Sequence, residues 1–200
     1  MKKLKTNSVF LSVILPTYNE KDNVIPLLYQ LEDFFALNNL NAEIIVVDDS
    51  SPDGTANEIQ KMQKKFPNIF LVVGKEKKGI GDALRRGYSN ARGEWLLSMD
   101  ADGSIIVKEI PLLLNEIRNG FDFILGSKYL TGSIYEKQST AVLFRSFISE
   151  LGNRYISIVT GIPIKDFSLN FRLIKKKVWD SINPLDNQNF FLVEMVVQSW

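Results

Sequence analysis

Two aspartates, Asp100 and Asp102, follow a short apolar run at residues 95–99 and stand two positions apart. If that run is a β-strand, the two carboxylates point to the same side of the sheet and can share one cation. Mg²⁺ and Mn²⁺ prefer hard oxygen ligands and are commonly held by one or two carboxylates plus substrate phosphates. A solvated turn is the alternative, because Asp102 precedes Gly103. The neighbouring polar loops favour a metal site.

Two of those loops follow the apolar runs at residues 11–15 and 43–48. The first reads Pro-Thr-Tyr-Asn-Glu, and the second reads Asp-Asp-Ser-Ser-Pro-Asp-Gly-Thr. Ligands of an open parallel sheet gather at the carboxyl ends of its strands. An ionised aspartate only accepts hydrogen bonds, so we expect Asp49 to accept them from a base or ribose. We expect Asp53 to shape the turn or cap the next helix.

A basic cluster surrounds Gly79 and Gly81. It consists of Lys75, Lys77, Lys78, Arg85 and Arg86. The two glycines resemble the start of a dinucleotide-binding fingerprint, but Leu84 replaces the third glycine and the motif follows the third strand. The sequence therefore disfavours a nicotinamide site. We expect most of these lysines on a solvated surface, with contact to phosphates as the alternative.

Composition limits the chemistry further. The 200 residues include no histidine and no cysteine, which excludes disulfides, imidazole bases, thiolate nucleophiles and the usual zinc sites. The 24 basic and 23 acidic residues give a net charge of +1, which provides no global attraction to nucleic acid. Catalysis must depend on carboxylates, hydroxyls, Lys and Arg.

The elements that position these residues alternate between short β-rich runs and segments of helical period. We predict strands at 11–15, 43–48, 69–73, 95–99, 121–125 and 167–174, and helices at 23–38, 55–65, 79–90, 109–118, 141–160 and from 194. Such alternation indicates the α/β class, with a mostly parallel, Rossmann-like sheet and helices on both faces.

We expect one catalytic domain over residues 1–200, since neither repeats nor linkers interrupt the sequence. The apolar helical pattern breaks off at Trp200, so we expect a chain truncated at its C-terminal end. No stretch approaches the roughly 20 apolar residues of a membrane-spanning helix. We therefore expect a cytoplasmic location, peripheral at the cytoplasmic face of a membrane.

The amphipathic segment 141–160 has two interpretations. Its large apolar residues are Phe144, Phe147, Ile148, Leu151, Tyr155 and Val159. Packing in the core is the expected one, and contact with a membrane surface or a membrane partner protein is the alternative.

Together, the three polar loops resemble those of the inverting family 2 glycosyltransferases, especially the dolichol-phosphate mannose synthase branch. The resemblance implies the type A glycosyltransferase fold, a GDP- or UDP-linked sugar donor and Mg²⁺ or Mn²⁺ as cofactor. It assigns nucleotide binding to Pro16, Tyr18, Glu20, Val47, Asp49, Asp100 and Ala101. Asp100 and Asp102 would bind the metal, with Ser104 as a further ligand, and Asp102 is expected to be catalytic.

The later motifs resemble the family with substitutions. In Gly126-Ser127-Lys128-Tyr129, Lys128 replaces an arginine, so a point charge replaces a bidentate fork at an expected catalytic position. Glu194-Met195 matches a Glu-Met pair near the active site, which makes Glu194 a further catalytic candidate. Asn187 stands where a lysine is expected shortly before that pair.

An Arg-x-x-x-Ser pair, Arg145 and Ser149, is expected to hold the acceptor phosphate from one helix face. Residues 166–172, Asp-Phe-Ser-Leu-Asn-Phe-Arg, resemble Asp-x-Thr-Ser-Gly-Phe-Arg and add Arg172 to the expected phosphate ligands. Leu169 and Asn170 replace the small pair of that pattern.

The resemblance implies inverting transfer of a mannose- or glucose-type sugar to a polyprenyl or dolichyl phosphate. An anionic acceptor needs no general base, whereas a sugar hydroxyl needs a carboxylate, for which Glu194 is the candidate. Two alternatives remain. One is a family 2 transferase acting on a cell-surface glycan, and the other is a catalytically silent relative that serves as a binding or scaffold protein.

Overall fold

A computed structural model describes residues 8–129 and 140–200, with side chains for residues 8–129 and 148–200. Within these ranges six strands form one sheet in the order β3-β2-β1-β4-β6-β5. They are β1 (Leu11–Thr17), β2 (Ala42–Asp48), β3 (Ile69–Val73), β4 (Trp95–Met99), β5 (Phe123–Leu125) and β6 (Phe171–Lys175). Strands β1 to β4 pair in parallel, and β6 runs antiparallel to both β4 and β5. The mostly parallel sheet is therefore confirmed.

Helices cover both faces of the sheet, as the sequence predicts. They are α1 (Lys21–Asn38), α2 (Thr55–Lys65), α3 (Ile80–Asn90), α4 (Ile110–Glu116), α5 (Thr140–Thr160), α6 (Lys176–Trp179) and α7 (Phe190–Ser199). On β1, Val13 and Leu15 pack in a cluster with residues of α1, α2 and α4. Ile14 points the other way, into a cluster with residues of α3, α6 and α7.

Several predicted boundaries are wrong. Strand β6 begins at Phe171, because the buried Asp166 carboxylate accepts hydrogen bonds from the amides of Ser168 (3.0 Å) and Leu169 (3.2 Å) and turns the chain there. Helix α7 starts at Phe190, earlier than predicted, and the short α6 was not predicted. Strand β5 is shorter than expected, since residues 121–122 lie outside it.

The loop before α7 docks on the amino terminus of α3. The carbonyl oxygen of Asn187 accepts hydrogen bonds from the amides of Gly81 (2.9 Å) and Asp82 (3.3 Å). Arg85 donates to the carbonyl oxygens of Pro184 (3.1 and 3.2 Å) and Asp186 (2.8 Å) and to Oδ1 of Asn187 (2.9 Å). Arg85 therefore has a structural role, since it links α3 to the loop before α7.

Helix α5 carries an exposed apolar face among its described side chains. Ile148, Leu151, Tyr155, Ile158 and Val159 are all more than half exposed. The expectation of core packing is therefore wrong for Ile148, Leu151, Tyr155 and Val159, whereas Phe144 and Phe147 lie outside the described side chains. In the described part of the chain, none of the helices has the length and apolar character needed to cross a bilayer.

Replacing Gly81 with alanine should destabilise the fold. An added Cβ would lie 2.6 Å from the Asp186 carbonyl oxygen and 2.8 Å from the Phe191 Cβ. We expect urea unfolding to show a loss of about 1–3 kcal/mol, the usual cost of overpacking.

Gly152→Ala in α5 is the matched control, because nothing lies within 4 Å of its added Cβ. We expect this variant to gain about 0.5–1 kcal/mol, since alanine loses less entropy than glycine in a helix. A Gly81→Ala protein as stable as the control would contradict the close docking of the loop.

Candidate active site

An open cleft of about 290 Å³ lies at the carboxyl ends of β1, β2 and β4. It is lined by Pro16, Thr17, Tyr18, Glu20, Asp49, Lys77, Gly79, Ile80, Ala83, Asp100, Ala101 and Asp102. Six of the seven residues expected to bind the nucleotide therefore line the same cleft, together with Asp102. The parallel register explains this, because Thr17 pairs with Asp48 and Ile14 pairs with Ser98, so the three strand ends meet at one edge.

The exception is Val47. Its side chain is fully buried and packs in the cluster beneath α3. Its carbonyl oxygen accepts a hydrogen bond from Thr17 Oγ1 (3.3 Å). The Val47 side chain does not line the cleft, so the expectation that it contacts a nucleoside is not met in this structure.

The buried carboxylate of Asp48 organises the second loop. Its oxygens accept hydrogen bonds from the amide (2.9 Å) and hydroxyl (2.6 Å) of Ser51, and from the Thr17 hydroxyl (3.3 Å). Ser51 Oγ in turn accepts a hydrogen bond from the amide of Asn19 (2.9 Å). Asp48 thus fixes the second loop and, through Ser51, the first.

Asp53 has the structural role expected of it. Its Oδ1 accepts hydrogen bonds from the amide (3.0 Å) and hydroxyl (2.6 Å) of Thr55 at the start of α2. Its Oδ2 accepts one from the amide of Lys21 (3.2 Å) at the start of α1. Asp53 therefore joins the beginnings of two helices that flank the cleft.

Asp49 lines the cleft, and its carboxylate is already engaged by protein groups. Oδ1 accepts a hydrogen bond from Arg86 Nη2, and Oδ2 accepts hydrogen bonds from the amides of Lys78 (3.2 Å) and Gly79 (3.3 Å). Arg86 also donates to Asp82 (2.8 Å). Asp49 therefore holds the 78–79 loop against β2, and its contact with a nucleoside stays a prediction.

Lys77 is a site residue that the sequence did not single out from its basic cluster. Its Nζ lies 3.6 Å from the ring centroid of Tyr18, close enough for a cation–π interaction. Both residues line the cleft. The only signal available in the sequence was the proximity of Lys77 to Gly79 and Gly81, and it could not reveal the partner ring. Lys77 therefore places a positive charge beside the Tyr18 ring in the cleft.

The acidic part of the cleft contains Glu20, Asp100 and Asp102. Burial raises the pKa of the Asp100 carboxyl; a hydrogen bond from Asn170 (2.8 Å) opposes the shift, and the charges of Asp102 and Glu20 add to it. Asp102 is exposed, and its Oδ1 accepts a hydrogen bond from the Ser104 amide (2.9 Å). The Ser104 contact is thus made by its backbone, and metal ligation by its exposed side chain stays a prediction.

This donor set suits a divalent cation. A bound cation would stabilise the ionised form of the half-buried Asp100 carboxyl, and both aspartates supply hard oxygen ligands. Across residues 8–129 and 148–200, no group of three or more acidic side chains is placed to hold a metal ion. Asp100 and Asp102 would hold an ion whose coordination is completed by substrate phosphates, which is the common mode for Mg²⁺.

Arg172 differs from its expected role as an acceptor-phosphate ligand. It is fully buried, and its guanidinium donates to the backbone carbonyls of Phe167, Leu169 and Leu192. Burial lowers its pKa to about 10. With its donors directed at three carbonyl oxygens, Arg172 ties the 167–169 segment to α7, and direct contact with an acceptor is not met in this structure.

Glu194 also differs from expectation. Its Oε2 accepts hydrogen bonds from the amides of Leu185 (2.6 Å) and Asp186 (2.9 Å). It lines a second, apolar cleft of about 310 Å³ between α5 and α7, and it does not line the cleft of Asp100 and Asp102. Glu194 therefore holds the 185–186 loop, and its role as a general base stays a prediction.

Among the described side chains, Lys128 and Ser149 are not part of the lining of the first cleft. Lys128 is half-buried, its amide donates to Asp166 Oδ2 (3.4 Å), and its Nζ lies 5.4 Å from the Tyr129 ring centroid. Ser149 is half-buried on α5. The Arg145 side chain lies outside the described side chains. Roles for Lys128, Arg145 and Ser149 stay predictions.

Comparison with known proteins bears on the family. The dolichol-phosphate mannosyltransferase of Pyrococcus furiosus is 35% identical over 180 residues, which cover 87% of this chain and 49% of that protein. The dolichyl-phosphate beta-glucosyltransferase ALG5D of Trichomonas vaginalis is 30% identical over 182 residues, covering 84% of this chain and 54% of that protein. The chain thus spans about half the length of these relatives.

Among solved structures, glucosyl-3-phosphoglycerate synthase from Mycobacterium tuberculosis, in complex with Mn²⁺, UDP and glucosyl-3-phosphoglycerate, matches with a TM-score of 0.69. The match covers 94% of this chain and 64% of that one at 16% identity. The S. aureus protein TarS 1–349 in complex with UDP-GlcNAc matches with a TM-score of 0.62 at 22% identity, over 95% of this chain and 54% of that one. These likenesses support the type A glycosyltransferase fold.

The family follows from the sequence itself. Residues 12–182, which include all three polar loops and the whole of strands β2 to β6, match the sequence model of glycosyl transferase family 2. Hence the chain belongs to glycosyl transferase family 2.

Proposed function

We propose that this chain binds a nucleoside diphosphate sugar, GDP- or UDP-linked, and transfers its mannose- or glucose-type sugar to a polyprenyl or dolichyl phosphate with inversion. The observation that supports this most is the convergence of Asp100 and Asp102 with Tyr18, Glu20 and Asp49 in one cleft. Two relatives, a dolichol-phosphate mannosyltransferase and a dolichyl-phosphate beta-glucosyltransferase, support the acceptor class.

In this proposal the cleft binds the donor along its length. Tyr18 presents a ring face and Lys77 a positive charge at one end, where the nucleoside would lie, and Asp100 and Asp102 lie where the diphosphate would be. Mg²⁺ or Mn²⁺, when bound, supplies Lewis-acid stabilisation of the charge that develops on the leaving diphosphate. Asp100 and Asp102 would hold that ion, and the acceptor would attack the anomeric carbon from the opposite face.

A phosphate acceptor is favoured over a sugar hydroxyl. A phosphate is already an anion and needs no general base, whereas a hydroxyl does. Glu194, the candidate base, is hydrogen-bonded to two backbone amides and lines the other cleft. The substitutions at Lys128, Leu169 and Asn170 keep a glycan acceptor as the second candidate, and extraction of the labelled product into organic solvent distinguishes the two.

We also propose that the apolar face of α5 and α7 meets a membrane surface. The lining of the second cleft is almost wholly apolar, and Ile158, Val159 and Phe190 around it are more than half exposed. A lipid-linked acceptor would be reached from such a surface. We therefore propose a location at the periphery of a membrane, on its cytoplasmic side, with a membrane partner protein covering the same face as the alternative.

Asp102→Ala should abolish metal-dependent donor binding. Thermal-shift measurements with GDP- and UDP-sugars, each with and without Mn²⁺, should show a Mn²⁺-dependent rise for the wild type and none for the variant. Transfer should fall about 100-fold or more, because the ion contributes several kcal/mol of charge stabilisation.

Asp180→Ala is the control for that experiment, because Asp180 is an exposed aspartate whose partner is the surface Lys176 (3.0 Å). A wild-type protein that shows no Mn²⁺-dependent shift with any donor, or an Asp102→Ala protein that transfers sugar normally, would contradict the proposed function. The first result would favour the silent binding or scaffold protein.

Asp100→Asn should stabilise the metal-free protein while removing its response to Mn²⁺. Because the folded state raises the pKa of Asp100, this carboxyl favours the fold when protonated, and that contribution is lost as pH rises through the raised pKa. A neutral amide avoids this loss. We expect the melting temperature near pH 7 to rise by about 2–4 °C, the effect of roughly 1 kcal/mol in a domain of this size.

The gain should shrink as the pH is lowered toward the ordinary carboxyl range, where wild-type Asp100 is itself protonated. Differential scanning calorimetry from pH 4 to pH 8 measures this dependence. A gain that is constant over the whole pH range would show that the pKa of Asp100 is not raised by the fold.

Ile158→Asp should weaken binding to lipid vesicles. Ile158 is 71% exposed on α5, and its loss from an apolar membrane contact should reduce vesicle affinity about 10-fold or more. Co-sedimentation with phosphatidylcholine and phosphatidylglycerol vesicles that contain polyprenyl phosphate measures the change.

Leu37→Asp is the matched control, since Leu37 is an 83% exposed apolar residue on α1. Equal losses for the two variants would show that vesicle binding does not use the α5 face. Absence of binding by the wild type would contradict the membrane proposal while leaving donor binding intact.

A further inference from the structure

Asn170 is brought to the acidic part of the cleft by the antiparallel pairing of β6 with β4. Met99 pairs with Phe171 and Ser98 with Arg172. Continued by one residue, this register sets Asn170 opposite Asp100, where cross-strand side chains lie close together. The hydrogen bond from Asn170 Nδ2 to Asp100 Oδ1 (2.8 Å) is the result.

The backbone that carries Asn170 is fixed on its amino-terminal side. The amide of Leu169 donates to Asp166 Oδ1 (3.2 Å), and the Leu169 carbonyl accepts from Arg172 Nε (2.9 Å). Asp166 and Arg172 are both buried. Asn170 therefore extends from a rigid turn, and its amide reaches Asp100 from one direction.

The orientation of the Asn170 amide follows from its partner. An ionised carboxylate only accepts hydrogen bonds, so the NH₂ group must face Asp100. The carbonyl end, Oδ1, is then buried and has no hydrogen-bond partner among the described residues. Leaving a buried acceptor unpaired costs stability. Only one polar end of the side chain is therefore paired, and that end serves Asp100.

Asp100 is the residue that benefits. Within the described part of the chain, Asn170 is its one side-chain hydrogen-bond donor. A bond to Oδ1 fixes the rotation of the carboxylate group, so Oδ2 keeps one direction as well. Hydrogen bonds to ligating carboxylates commonly tune metal affinity in this way.

We propose that Asn170 is a positioning residue of the cation site, holding the Asp100 carboxylate in the orientation that binds a divalent cation. This inference rests on the proposed function, because it presumes that Asp100 ligates the ion. It separates two properties that usually change together. Replacing the Asn170 amide with an apolar group of similar size should weaken cation binding with little effect on the stability of the fold.

The test uses Asn170→Ala and Asn170→Leu, compared with the wild type by thermal shift. Mn²⁺ is titrated at a fixed, saturating concentration of GDP and, separately, of UDP. For both variants we expect the Mn²⁺ concentration at half-maximal shift to rise about 10-fold, the usual effect of losing an outer partner of a metal ligand. Without Mn²⁺, the melting temperature of Asn170→Leu should stay close to that of the wild type, because the lost hydrogen bond to Asp100 is offset by the removal of an unpaired buried acceptor. Asn170→Ala should be somewhat less stable, since the shorter side chain also leaves a cavity.

Asn153→Ala is the control. Asn153 is another buried asparagine that also has one paired and one unpaired end: its Oδ1 accepts a hydrogen bond from the Phe167 amide (2.9 Å), and its Nδ2 has no partner among the described residues. We expect Asn153→Ala to lower the metal-free melting temperature, since it leaves that amide unpaired, and to leave the Mn²⁺ half-point within about twofold of the wild type.

Two outcomes would overturn the inference. One is an unchanged Mn²⁺ half-point in both Asn170 variants. The other is a loss of metal-free stability in those variants that matches Asn153→Ala, together with an equal loss of Mn²⁺ response in all three proteins, which would indicate a purely structural role. If the wild type itself shows no Mn²⁺ dependence, the proposed function fails and this inference fails with it, whereas either of the first two outcomes leaves the proposed function standing.

Discussion

The candidate site depends on three negatively charged side chains that the fold brings together at one edge of the sheet. Parallel pairing of β1, β2 and β4 places Glu20, Asp100 and Asp102 around one cleft, and burial adds a desolvation cost at Asp100. No arginine or lysine forms an ion pair with these three side chains within the described ranges. The fold thus concentrates negative charge in one cleft, which is characteristic of a functional site.

Other carboxylates make this arrangement possible by fixing the backbone around it. Asp48 holds the second loop, Asp53 joins the starts of α1 and α2, and Asp166 forms the turn before β6. Each accepts hydrogen bonds from backbone amides, which compensates for its burial or orders a loop. The aspartates of this chain therefore divide into those that shape loops and those left to meet a ligand, and residue type alone does not distinguish the two groups.

Much of the fold was predictable because the spacing of apolar residues along the sequence reflects which side chains are buried. The strands at 69–73 and 95–99 and the helix at 55–65 were predicted with the boundaries that the structure has, and the three polar loops were correctly placed at one edge. What sequence patterns could not give was the direction of individual side chains late in the chain. Arg172 and Glu194 carry charges that suit a site, but their hydrogen bonds go to backbone groups that only the folded chain brings near. Lys77 and Asn170 were missed because their partners, Tyr18 and Asp100, are 59 and 70 positions away in the sequence.

The docking of the loop before α7 has a consequence for anion recognition. A helix amino terminus ordinarily offers free amides and a positive dipole end to a phosphate. In α3 two of those amides, at Gly81 and Asp82, donate to the Asn187 carbonyl, and Arg85 donates hydrogen bonds to the same loop. Because these amides are already paired, a pyrophosphate bound as we propose would be balanced by Lys77 and a bound cation, and not by the amino terminus of α3. Under the proposed function, occupancy of the cleft would then depend on the supply of free divalent ions, and loss of the ion would weaken the binding of the product nucleotide.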